Sequence, residues 1–195
     1  MNNSVSKSGS DGAVDHARAI AATEQWLEKA VIGLNLCPFA KAVHVKKQIR
    51  YVVSDATTPE ELLEMLMNEL QYLSDTPAEQ VDTTMIIHPR VLNDFEEYNE
   101  FLDVADAALE DMGLDGELQV ASFHPDYQFA DTGRDDIGNY TNRSPYPTLH
   151  LLREESVERA VEAFPEAEAI FEKNIETMEN LGHEGWNELF PQAKQ

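Results

Sequence analysis

Between Ser122 and Pro147 the chain strings together His124, Asp131, Arg134, Asp135, Asp136, Asn142, Arg143 and Ser144. These residue types can move a proton and hold an anion. Histidine ordinarily titrates near neutral pH, so His124, and His88 in the matching His88-Pro89 pair, are candidate acid–base groups. Arginine presents a planar fork of donors that fits carboxylate or phosphate. Of seven arginines, Arg134 and Arg143 fall in this stretch, while Arg90 and Arg153 follow apolar runs. Asn142 and Ser144 add neutral donors. The residues therefore point to an enzyme or binder of a small anionic ligand, with Arg143, Asn142, Arg134, Ser144 and Arg90 holding it and His124 and His88 as acid or base. The opposing reading is that the arginines pair with Asp131, Asp135 and Asp136, in surface ion pairs worth little.

Cys37 is the single cysteine and the one available thiol nucleophile. Pro38 suits the first turn of a short helix and would put Cys37 at its N-cap, where local N–H groups favour a thiolate. Its neighbours Leu34, Leu36 and Phe39 are apolar, and a free cysteine can equally be an inert core residue. His88, His124 and His150 with Cys37 or Asp131 could in principle hold zinc or iron. No local ligand spacing supports that, and no metal is assigned. Asp131-Thr132-Gly133 matches the aspartic-protease triplet, but a single copy amid helices does not make that site. Asn142-Arg143-Ser144 fits the glycosylation pattern, yet Pro145 follows it and no secretion signal precedes it. There is no Walker loop, dinucleotide fingerprint, nucleophile elbow or zincin motif, so no cofactor is expected. The aromatic residues Phe123, Tyr127, Phe129, Tyr140 and Tyr146 could line a pocket or pin a long loop to the core.

The elements that must position these groups follow from periodicity. Ile20, Leu27, Val31 and Leu34 recur at helical spacing over about 15–34, with Trp26 beside the stripe. Gln48 to Val53 alternates like a strand. Thr58-Pro59-Glu60-Glu61 and Asp94-Phe95-Glu96-Glu97 are capping boxes that open two helices. Thr83 to His88 is apolar on both faces, as a central strand requires. Glu117 to Phe123 and Thr148 to Leu152 complete four strands. Helices are predicted over 154–163 and 166–181, separated by Pro165 and stopped by Gly182. Strand–helix repetition predicts a single α/β domain with a four-stranded, mostly parallel sheet flanked by helices, the alternative being an α+β ferredoxin-like sandwich. His88 and His124 would then share the carboxyl rim of the sheet, where such folds bind ligands.

The 195 residues are enough for one self-sufficient core, with 42% apolar residues, as in ordinary globular chains. The net charge of −23 argues against nucleic acid and anionic membranes as partners. It leaves a second function class open, an acidic interaction module centred on Glu158, Glu162 and Glu166. Residues 1–13 are expected to be disordered, 14–182 to form the globular domain and 183–195 a tail. A lone cysteine and the lack of a signal sequence or apolar span suggest the cytoplasm. Oligomeric state is not legible.

Trp26-Leu27, the run Val31-Ile32-Gly33-Leu34-Asn35-Leu36-Cys37-Pro38-Phe39-Ala40, Ile49-Arg50-Tyr51 and Asn142-Arg143-Ser144-Pro145 resemble domain-of-unknown-function family 1415 over about residues 18–185. The resemblance implies a single-domain bacterial protein. It brings no activity, substrate or catalytic residue.

Overall fold

The computed structural model describes residues 14–163 and 169–190. The expected disorder of 1–13 and the break at Pro165 fall outside them. The order is α1 (His16–Trp26), a π-helical segment (Leu27–Ile32), α2 (Ala40–Val45), β1 (Ile49–Val53), α3 (Pro59–Asp75), β2 (Thr83–Ile87), α4 (Phe95–Asp111), β3 (Leu118–Phe123), a 3-10 helix (Ile137–Asn142), β4 (Thr148–Arg153), α5 (Glu154–Ala163) and α6 (Ile170–Leu189).

Both helix N-caps form. Thr58 Oγ1 accepts from the Glu61 N–H, and Asp94 Oδ1 accepts from the N–H groups of Glu96 and Glu97, which satisfies donors that a helix start leaves open. The first helix departs from expectation. It widens after Trp26, with the Gly33 N–H reaching Glu28 and the Leu36 N–H reaching Val31, five residues back. The wider turn buries Trp26, Leu27, Ala30 and Val31 together, so Trp26 is core and not a flank. Gly33 permits the close of this turn, because a Cβ there would run into the Lys29 carbonyl.

The sheet is mixed, in the order β1-β2-β4-β3. Only β1 and β2 pair in parallel, and β4 is antiparallel to both β2 and β3. This corrects the expected mostly parallel sheet. The chain leaves β3 and returns to β4 on one rim, so β4 must run backwards. Leu149 and Leu151, fully buried, draw it into the centre, between β2 and β3. Strands β1, β2 and β3 still point the same way, so β2 and β3 both end on that rim.

Helices cover both faces. On one, Leu62, Leu66, Leu70 and Leu73 of α3 and Tyr98, Phe101, Ala105 and Leu109 of α4 pack on Ile86, Leu118, Leu149 and Leu151. On the other, Trp26, Leu27, Ala30 and Val31 pack on Met85, Ile49, Tyr51 and Phe123. Trp186 and Phe190 join this second cluster. They lie beyond Gly182, whose φ of 62° and ψ of 177° break the helix where the sequence predicted a stop, and a second helical stretch then runs to Leu189. Residues 183–189, expected as a tail, are helical and dock through Trp186.

Candidate functional site

His88 and His124, which follow β2 and β3, meet under one ring. Their centroids lie 5.8 and 5.0 Å from that of Tyr98, and both side chains are fully buried. His88 Nδ1 lies 3.0 Å from the Val91 carbonyl and must donate to it. His124 Nδ1 accepts from the Asp126 N–H at 3.0 Å, which leaves Nε2 as the donor to the Leu92 carbonyl at 3.2 Å. The rings thus hold opposite neutral tautomers. Two successive carbonyls of the turn between β2 and α4 are tied down by them, and Leu92 between these anchors has φ 56°, a conformation costly for a branched residue. Burial pushes the His88 imidazole down to about 4, with His124 alongside adding to the shift, and burial lowers His124 as well. His88 Nε2 has no partner. These rings clamp a strained turn, and neither lines either cavity described below.

The long loop is held by its own backbone. Asn139, fully buried, accepts from Phe129 N–H and Thr132 Oγ1 and donates to the Gly133 carbonyl. Sequence reasoning missed Asn139. Its signal was weak, an Asn two residues beyond the Asp136-Ile137 turn start. Arg143 donates through Nε to the Tyr127 carbonyl (3.1 Å) and through Nη2 to the Arg134 carbonyl (2.6 Å), and lies over the Tyr140 ring at 4.3 Å. Arg134 pairs with Asp126 in solvent. Asn142 Nδ2 donates to the Ser122 carbonyl, and buried Ser144 donates to the Tyr146 carbonyl. Arg90 is exposed and helps keep the Glu61 carboxyl below its ordinary value, an effect led by the Thr57 N–H. The expected anion-binding set is therefore not brought to one cavity. Its donors are spent on main-chain carbonyls and local carboxylates.

Cys37 is half-buried on the opposite face, against the cluster of Trp26, Val31 and Met85. Burial raises its thiol pKa against the pull of the Phe39 and Ala40 N–H groups. The helix cap is Phe39, not Cys37, and the sheet separates the thiol from His88 and His124, so no Cys–His pair forms. His150 is also on that face, 2.6 Å from Thr83 Oγ1, its imidazole pushed down to about 4 by burial. Among the described residues no group of three or more His, Cys, Asp or Glu could hold a metal. Glu158 and Glu162 are exposed on α5, which buries no residue. Glu166 lies outside the described residues.

The loop docks on α6. Phe129 meets Phe171 edge-on at 6.1 Å, and Tyr140 meets His183 and Trp186, each at 5.3 Å. Between these contacts the loop and α6 enclose a cavity of about 250 Å³. It is lined by Phe129, Ala130, Thr132, Asp136, Gly138, Thr141 and Asn142 from the loop and by Phe171, Asn174, Ile175 and Glu179 from α6. A second cleft of about 370 Å³ lies on the other side of Asn174, between residues 34–38 and α6. Of the residues expected to bind, Asn142 alone lines either of these two cavities.

The fold and cavities define an α/β protein with a mixed four-stranded sheet, helices on both faces and a long β3–β4 loop roofed by a C-terminal helix. The chain belongs to the DUF1415 family, described as proteins of unknown function, whose pattern matches residues 18–188. No curated protein and no solved structure matches it. Among the described residues no helix is long and apolar enough to cross a membrane.

Proposed function

We propose that the protein binds a small polar molecule in the cavity between the β3–β4 loop and α6, as a cytoplasmic protein in keeping with its single thiol. The observation that carries this reading is the concave, partly polar wall that the rigidly held loop presents to α6. Asn139, Arg143 and His124 hold its backbone. Thr132, Asp136, Thr141 and Asn142, themselves hydrogen-bonded at the loop's base, stand on a concave wall facing α6. Ligand sites are typically concave and mostly preformed, with a few polar groups set among apolar ones. Phe129, Phe171 and Ile175 supply the apolar part. The expected anionic ligand loses support here, since neither Arg nor His lines the cavity.

The wider cleft is the second reading, because Leu34, Asn35 and Pro38 of the family-like run form its wall. Amide spectra recorded across a library of small polar fragments distinguish the two. Hits are expected at Thr132, Gly138, Thr141 and Phe171. Hits confined to Asn35, Lys173 and Thr177 would move the site to the wider cleft, and hits at the 88–92 turn would return it to the rim.

A further inference from the structure

We infer that the ligand of the loop–α6 cavity is a compact organic cation, a primary amine or guanidine, an inference that rests on that cavity being the binding site. The ionisable side chains in its lining are Asp136 and Glu179, one from each wall, and both are acidic. Asp136 is fixed in place: it opens the 3-10 helix, with Oδ1 accepting from the Gly138 N–H at 2.8 Å. Glu179 stands across from it on α6. The apolar lining is equally suited to positive charge. Phe129 and Phe171 stand edge to face, and Phe171 is 60% exposed although it sits in that lining. An aromatic face with carboxylates nearby is the arrangement that attracts ammonium and guanidinium groups. Asn142 and Asn174 add amides that can accept from N–H donors.

The arginines nearby in sequence are engaged elsewhere. The Arg143 guanidinium is bound to the Tyr127 and Arg134 carbonyls and laid over Tyr140, and Arg134 pairs with Asp126. Lys173 lines the neighbouring cleft, with Glu176. Net charge acts in the same direction, since −23 raises the local concentration of small cations and repels anions.

The test uses three molecules of one length, 1,4-diaminobutane, 1,4-butanediol and succinate, titrated separately into the full chain at low ionic strength while its amide spectrum is followed. The diamine is expected to shift Thr132, Gly138, Thr141, Phe171 and Asn174 at least tenfold more tightly than the diol, with succinate leaving them unmoved. Glu179→Gln and Asp136→Asn should each weaken the diamine about fivefold, the order expected of one exposed ion pair. Asparagine at 136 keeps an oxygen for the Gly138 N–H, so the local turn survives. Binding of the diol or succinate in this cavity as tightly as the diamine would overturn the cationic inference while leaving the site in place. Silence of these amides toward all three molecules and toward the fragment library would overturn the site itself. Diamine shifts spread equally over α5 and unchanged by Glu179→Gln would mark counterion condensation and overturn the inference.

Discussion

Lowering the pH from 6.5 towards 4 is expected to remove roughly 3 kcal/mol of folding stability through each of His88 and His150. Both imidazoles ordinarily titrate at 6.5 and are held near 4 in the fold by burial. Above 6.5 they are neutral whether the chain is folded or not, and their contribution is fully present. Below 6.5 the unfolded chain takes up protons that the folded one refuses, so stability falls as pH falls, until the folded rings titrate near 4. His124 is lowered too and acts in the same direction. The opposing effect is relief of self-repulsion as the many carboxylates gain protons, but that sets in mostly below pH 5, near their ordinary values. Urea midpoints at pH 7, 6 and 5 therefore isolate the histidines, with a progressive drop expected over that range. A flat midpoint from 7 to 5 would mean that the imidazoles are accessible to protons in the folded state.

Replacing Tyr98 by Phe is expected to destabilise the protein by roughly 3 kcal/mol, although it removes a single oxygen. The hydroxyl donates to the Thr148 carbonyl at 2.8 Å and accepts from the Phe123 N–H at 3.1 Å. It thereby joins the last residue of β3 to the first of β4, where the long loop leaves and returns. The ring is fully buried, so Phe fills the same space but leaves a buried donor and a buried acceptor unpaired, each at about 1–3 kcal/mol. Thermal or urea unfolding gives the loss, and hydrogen exchange should show it concentrated at the rim, with Phe123 and the 88–92 turn exchanging faster. A loss below about 0.5 kcal/mol would mean that the strands close without the bridge.

The shared rim was readable from the order of elements. Two strand–helix units followed by a strand set β2 and β3 parallel, and the two His-Pro corners followed. An antiparallel β4 beside β3, which brings the loop back to the same rim, was open to the sequence and is found. Its insertion against β2 was not readable, because that depends on which long-range partner buries Leu149 and Leu151 best. The π-helical turn was equally hidden, since a stripe of Ile20, Leu27, Val31 and Leu34 fits an ordinary helix. The site itself misled for a definite reason. Arg143 and Arg134 read as free donors because the acceptor atoms that engage Arg143 are carbonyls, and main-chain carbonyls carry no residue signature. Asn139 carries no sequence signal strong enough to single it out, yet it is the buried hub of that loop. What became a cavity wall, Phe129 and Phe171, lies far apart in sequence and is joined only by the docking of the loop on α6.

The account turns on the rim histidines being neutral clamps that leave the chemistry to the other side of the loop. Long-range ¹H–¹⁵N spectra of the imidazoles at pH 7 address this directly. The expected result is one buried ring protonated at Nδ1, His88, and one protonated at Nε2, His124, both neutral and neither shifting when a cavity ligand is added. A charged ring, matching tautomers, or a ligand-induced shift at His88 Nε2 would contradict it and place the working surface back on the rim.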